Sequence, residues 1–115
     1  MNELTVNTRL DDLKRRYAIG LPEKVRKVVE SVRASLAVPR DRVLLEIAHR
    51  VIHGLTGSSG TYGYVELSQV ARRAELLLSD ALESGSPPPP DRQLQVRELI
   101  LSMGSLVAIA ACEAD

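Results

Sequence analysis

His53 is the strongest candidate in this sequence for a residue that takes part in a chemical reaction. A neutral imidazole nitrogen is a nucleophile and a proton carrier near neutral pH. Gly57 and Gly60 follow it within the segment HGLTGSSGTYG. Each glycine costs about 1 kcal/mol relative to alanine inside a helix, so both require an explanation. Either they clear space around the imidazole for a bulky partner, or they fray a helix end before a turn at Gly63.

A helical wheel of the segment that begins near Asp41 places His53 on a polar face, pointing to solvent. The predicted apolar stripe on the opposite side consists of Leu44, Ala48, Val51 and Leu55. The residues predicted to share the histidine's side are Glu46, His49, Arg50, Gly57 and Gly60. Two interpretations stay open for Leu45 and Ile52, which flank this side: an apolar docking rim for a partner, or packing against a neighbouring helix.

The remaining sequence predicts the helices that position this segment. A short helix is expected up to a stop at Gly20, and a second one follows from Leu21 with valines at helical spacing. Further helices are expected from about Val65 to Leu82 and from Asp91 onwards, separated by a proline-rich linker over residues 84–90. We therefore predict one all-α domain over residues 1–115, with its core roughly at 8–110. It is an antiparallel four-helix bundle with a short extra N-terminal helix.

Composition narrows the classes of partner. Lys and Arg number 15 and so do Asp and Glu, and this balance argues against a nucleic-acid binder. A single cysteine, Cys112, excludes an internal disulfide framework and favours a reducing compartment. No apolar run approaches the ~18 residues of a membrane span. We expect a cytoplasmic protein that binds neither nucleic acid nor membrane.

The segment also suggests a metal site, a phosphate-binding loop or a hydrolase nucleophile, but the other residues that each of these needs are missing. His49 and His53 have the four-residue spacing of a metal pair, but apart from Glu46 no third ligand is evident, so no metal site is predicted. The glycines and serines of GSSGTYG have neither a preceding strand nor a GK[ST] ending, which excludes a phosphate-binding loop. They also lack the G-x-S-x-G elbow of a hydrolase.

The segment resembles the motif of the histidine-containing phosphotransfer (Hpt) domain family. The matching positions are His53, Leu55, Gly57, Ser58, Ser59 and Gly63. The flanking segments RVLLEIAHRVI, VELSQVARRAELLL and LPEKVRKVVESVRASL are similar to the same family, so the resemblance covers roughly residues 8–110. It implies that His53 accepts a phosphoryl group from a receiver-domain phospho-aspartate or a hybrid histidine kinase and passes it to a response regulator. It also implies that this domain binds no cofactor, that Mg²⁺ belongs to the receiver, and that the domain alone has little activity.

One departure from the family concerns the position three residues after the histidine, where a lysine is often found. Here that residue is Thr56, which can donate a hydrogen bond but carries no charge. Arg50, one turn before His53, is the first candidate for the missing cation, and Arg72 and Arg73 are weaker ones. The competing interpretation of the whole chain is an Hpt-like adaptor without transfer activity, or a helical dimerisation module.

Overall fold

The computed structural model describes the backbone of residues 3–114 and the side chains of residues 6–110. This part of the chain forms four helices: α1 (Glu3–Ala37), α2 (Arg42–Thr61), α3 (Val65–Ser84) and α4 (Pro90–Ala114). Each of α1 and α3 packs against both α2 and α4, so α2 and α4 lie diagonally opposite each other within the described residues. Because short connections reverse the chain between consecutive helices, the four form an antiparallel bundle. The all-α prediction is confirmed.

The prediction of a separate short N-terminal helix is wrong. Helix α1 is continuous over 35 residues and contains both Gly20 and Pro22. Proline removes one backbone hydrogen bond and glycine weakens a helix, so local preference favours a break here. Burial decides otherwise. Tyr17 and Leu21 are buried and continue the apolar stripe that Val25 belongs to, at four-residue spacing. A break at Gly20 would turn this stripe away from the core.

The core consists of aliphatic side chains of moderate size, with one tyrosine and one methionine. Its buried members are Tyr17, Leu21, Val25, Val28, Val32, Leu36, Leu45, Ala48, Ile52, Leu55, Leu67, Ala71, Ala74, Leu78, Ala81, Val96, Leu99, Ile100, Met103 and Val107. Alanines are concentrated on α3, and small side chains let neighbouring helices approach closely. Of all helix pairs, α2 and α3 pack most extensively. That pair carries the candidate site.

Both ends of α2 are fixed by specific contacts. The Asp41 side chain accepts a hydrogen bond from the backbone N–H of Leu44 at 3.1 Å, which confirms the predicted helix start. At the other end, the Tyr62 ring stacks on that of Tyr17 with a centroid distance of 4.3 Å. Gly63 then turns the chain with φ = 85°, in the left-handed region that glycine favours. The helix therefore continues through most of the glycine-rich segment, and the chain turns after it at Gly63, the position of the predicted turn.

The connection between α3 and α4 is shorter than predicted. Gly85 ends α3 with φ = 70°, and α4 begins at Pro90, a residue well suited to the first helical turn. Residues 85–89 thus cross one end of the bundle, with Pro88 buried there. Between Glu3 and Ala114, no helix combines the length and hydropathy needed to cross a membrane.

Candidate functional site

The His53 imidazole stands at the surface of α2, with 73 % of its side chain exposed. Its Nδ1 lies 2.7 Å from Oε2 of Glu75 on α3. A neutral ring that faces a carboxylate at this distance carries its proton on Nδ1 and donates it to the oxygen. No described residue hydrogen-bonds Nε2. The arrangement therefore leaves the Nε2 lone pair free and directed to solvent.

Glu75 is much more buried than the histidine it contacts. Only 14 % of its side chain is exposed, and its Oε1 is buried with no hydrogen-bond partner among the described residues. A buried carboxylate oxygen without a donor leaves the group dependent on the histidine for compensation. Glu75 thus fixes both the tautomer and the direction of the His53 ring.

His49 differs from His53 in its surroundings, although the two rings lie almost parallel, 6.3 Å apart. It is half-buried, and its Nε2 is 2.7 Å from Oγ of Ser79 on α3. The nitrogen that His53 leaves free is therefore occupied in His49. Within the described residues, no group of three His, Cys, Asp or Glu side chains is placed to hold a metal ion.

The glycines around His53 have different roles in the structure. A Cβ added at Gly57 would meet nothing within 4 Å, and the same holds for Gly54, which the sequence analysis did not single out. At Gly60, an added Cβ would lie 3.1 Å from Oγ of Ser68 on α3. Gly57 and Gly54 leave the surface beside the imidazole bare. Gly60 instead makes room for α3, whose Ser68 hydroxyl donates to the Thr56 carbonyl at 2.8 Å.

Comparison with known families agrees with this geometry. The family model described as "Hpt domain" matches residues 21–108, well over half of the chain. The chain belongs to the Hpt domain family. Hpt domains take part in phosphorelays, in which a histidine carries phosphate between kinases and receiver domains. No curated protein and no solved structure matches the chain.

The other motif positions of this Hpt domain serve mainly to build the end of α2. Leu55 is buried, and the fully buried Ser59 donates its hydroxyl to the Leu55 carbonyl. Ser58 lies 2.9 Å from the Tyr17 hydroxyl on α1. Burial raises the pKa of the Tyr17 phenol, so this group stays a neutral hydrogen-bonding partner. Ser59 thus bonds to the preceding turn of α2, and Ser58 links α2 to α1.

Leu45 and Ile52 do not form an exposed rim. Ile52 is fully buried and Leu45 is only 6 % exposed, so both belong to the core of the Hpt domain. The helical wheel assumes a single apolar stripe on α2. In the structure α2 packs against α1 on one side and α3 on the other, so a wider part of its circumference is buried. The exposed apolar side chains on α2 and α3 are instead Val43, Ile47, Val65 and Leu76.

Thr56 is unsuited to the role that the sequence left open for it. Its hydroxyl is half-buried and donates to the Ile52 carbonyl at 3.0 Å, so its proton is already used inside the helix. Arg50 is exposed, and no described residue pairs with it. Glu46 is also exposed and pairs with Arg42 at 3.1 Å. We call the exposed side of α2 formed by Glu46, Arg50, His53, Gly54 and Gly57 the histidine face.

Proposed function

We propose that His53 is the phospho-acceptor of this Hpt domain. It takes a phosphoryl group on Nε2 from a receiver-domain phospho-aspartate or a hybrid histidine kinase, and it passes the group to the receiver of a response regulator. The observation that carries this proposal is the state of the ring. His53 is 73 % exposed, Nδ1 is held by Glu75 at 2.7 Å, and Nε2 is free.

The transfer step is a substitution at phosphorus. The Nε2 lone pair forms a bond to phosphorus while the P–O bond to the aspartyl carboxylate breaks, and the electron pair leaves with that carboxylate. The phosphorylated ring keeps its proton on Nδ1 and therefore carries a positive charge. The Glu75 carboxylate, 2.7 Å away, offsets that charge. Transfer to the next aspartate is the same step in reverse.

Approach of the receiver requires a surface that does not obstruct it. Gly54 and Gly57 leave open space beside the ring, and both lie within the histidine face. We propose that the receiver docks over this face and supplies the aspartate together with its Mg²⁺, while this chain supplies the nucleophile and binds no cofactor. Arg50, one turn from His53 and unpaired among the described side chains, remains a candidate to meet the phosphoryl oxygens.

Such a division of labour leaves this chain with little activity on its own, because the charge neutralisation by Mg²⁺ belongs to the partner. We also propose that the chain acts in the cytoplasm together with its receivers, and the single cysteine Cys112 is consistent with a reducing compartment.

The proposal is tested by incubating the protein with a receiver domain carrying radiolabelled phospho-aspartate, in the presence of Mg²⁺. We expect label to move to this chain, and we expect it to be lost in acid and kept in base, as a phosphorus–nitrogen bond requires. Binding of the receiver without any movement of label would instead identify a non-catalytic adaptor.

A further inference from the structure

The register between α2 and α3 places Arg72 beside the reactive nitrogen. Three contacts fix this register: Gly60 with Ser68, His53 with Glu75, and His49 with Ser79. In each pair the two residue numbers add up to 128, as expected for two antiparallel helices in a constant register. The position on α2 that lies opposite Arg72 is therefore Thr56, one helical turn beyond His53.

Arg72 also lies on the correct side of α3. It falls between Ser68 and Glu75 at spacings of four and three residues, so it shares the stripe that faces α2. Ser68 and Glu75 are half-buried in the helix contact, whereas Arg72 is exposed and hence lies at the outer margin of that stripe. His53 also lies along this margin, because its side chain is 73 % exposed while its ring contacts Glu75.

The distances are within reach of an arginine. Packed helix axes are about 8–10 Å apart, and one turn along α2 covers about 5 Å. The arginine side chain at position 72 starts opposite Thr56 and is long enough to span this separation and reach a phosphoryl group bound to Nε2. No described residue holds the Arg72 guanidinium elsewhere by a hydrogen bond or an ion pair.

A phosphoryl group on Nε2 brings negative charge to a ring whose other nitrogen already contacts the Glu75 carboxyl group. The Thr56 hydroxyl does not compensate that charge, because it is bonded to the Ile52 carbonyl. We infer that Arg72, on α3, donates hydrogen bonds to the phosphoryl oxygens on His53. It lies opposite Thr56 and supplies the positive charge that Thr56 lacks. A guanidinium suits this task because its N–H groups match two phosphoryl oxygens at once. This inference rests on the proposed function and names a further group at the same site.

Arg73 provides a matched control from the adjacent position. It borders a groove between α3 and α4 together with Gln95 and Glu98, and it therefore points away from His53. Removal of either arginine changes the net charge equally. Alanine also preserves helix propensity at both positions.

The test uses phosphoramidate, a small donor that phosphorylates histidine and releases ammonia, so that no receiver contributes charges of its own. We expect Arg72→Ala to slow phosphorylation of His53 about tenfold, from the loss of a charge-assisted hydrogen bond. Arg73→Ala should stay within about twofold of the wild type, and Arg72→Lys should recover part of the rate because it restores the charge. The reaction is followed by phosphorus NMR on the full chain.

Equal rates for Arg72→Ala and the wild type would overturn this inference and leave the proposed function intact, since His53 would still be labelled. Equal slowing by Arg72→Ala and Arg73→Ala would also overturn it, because it would reduce the effect to net charge. A wild-type protein that takes no phosphoryl group on His53 would overturn the proposed function, and this inference with it.

Discussion

A His53→Gln variant is expected to take no label from a phosphorylated receiver, a loss of at least about 10³-fold, because the nucleophilic atom is absent. Glutamine is a conservative replacement here. Its amide N–H can still donate to Glu75, which would otherwise keep a half-buried carboxylate without its partner. The fold should therefore be unchanged, and far-ultraviolet circular dichroism provides that check. Label is measured after separation of the two proteins.

The matched control is His49→Gln, which removes the neighbouring imidazole from the same helix. His49 is half-buried and its Nε2 is bonded to Ser79, so we expect this variant to remain labelled. If His53→Gln were labelled as well as the wild type, His53 would not be the acceptor. Loss of label only in His49→Gln would transfer that role to His49.

A Gly57→Glu variant is expected to lose transfer from a receiver by roughly 100-fold, while its helical content stays the same. An added side chain meets no atom of the protein within 4 Å, so it projects into the space that a docking receiver would occupy. Displacement of reacting groups by about 1 Å is enough to cost this much in rate. The new carboxylate also lies one turn from His53 and repels the phosphoryl group.

Two comparisons separate docking from general effects of the substitution. Gly104→Glu places the same side chain at an open glycine in α4, the helix diagonally opposite α2 within the described residues, and this variant should transfer normally. Gly57→Ala should stabilise the helix by up to about 1 kcal/mol and should obstruct far less than glutamate. Transfer at the normal rate in Gly57→Glu would show that the receiver does not approach over the histidine face.

Much of the fold follows from local signals in the sequence. The start of α2 is predicted by Asp41, because an aspartate before an apolar periodic segment caps a helix, and the structure contains that hydrogen bond. The exposure of His53 follows from its place opposite Ala48 and Leu55 on a 3.6-residue period, and both of these are buried. Period and cap are properties of one segment, so a single sequence is sufficient to predict them.

The features that sequence analysis missed or misplaced depend on two helices at once. Glu75 follows His53 by 22 residues, and its partnership becomes visible only through the register of α2 against α3. Leu45 and Ile52 were ambiguous because a wheel shows where a stripe lies but not how many neighbours cover it. The continuity of α1 through Gly20 and Pro22 likewise results from burial of Tyr17 and Leu21, which outweighs local preference. The same register brings Arg72 close to His53, whereas Arg73 faces the groove between α3 and α4.

The central claim is that Glu75 holds Nδ1 of His53 and leaves Nε2 to react. It is tested most directly by NMR on protein with ¹⁵N-labelled histidine, before and after phosphorylation. Before phosphorylation, the neutral His53 ring should carry its proton on Nδ1, and afterwards phosphorus should be coupled to Nε2 of the same ring. Phosphorus on Nδ1, or a proton on Nε2 in the free protein, would contradict the account.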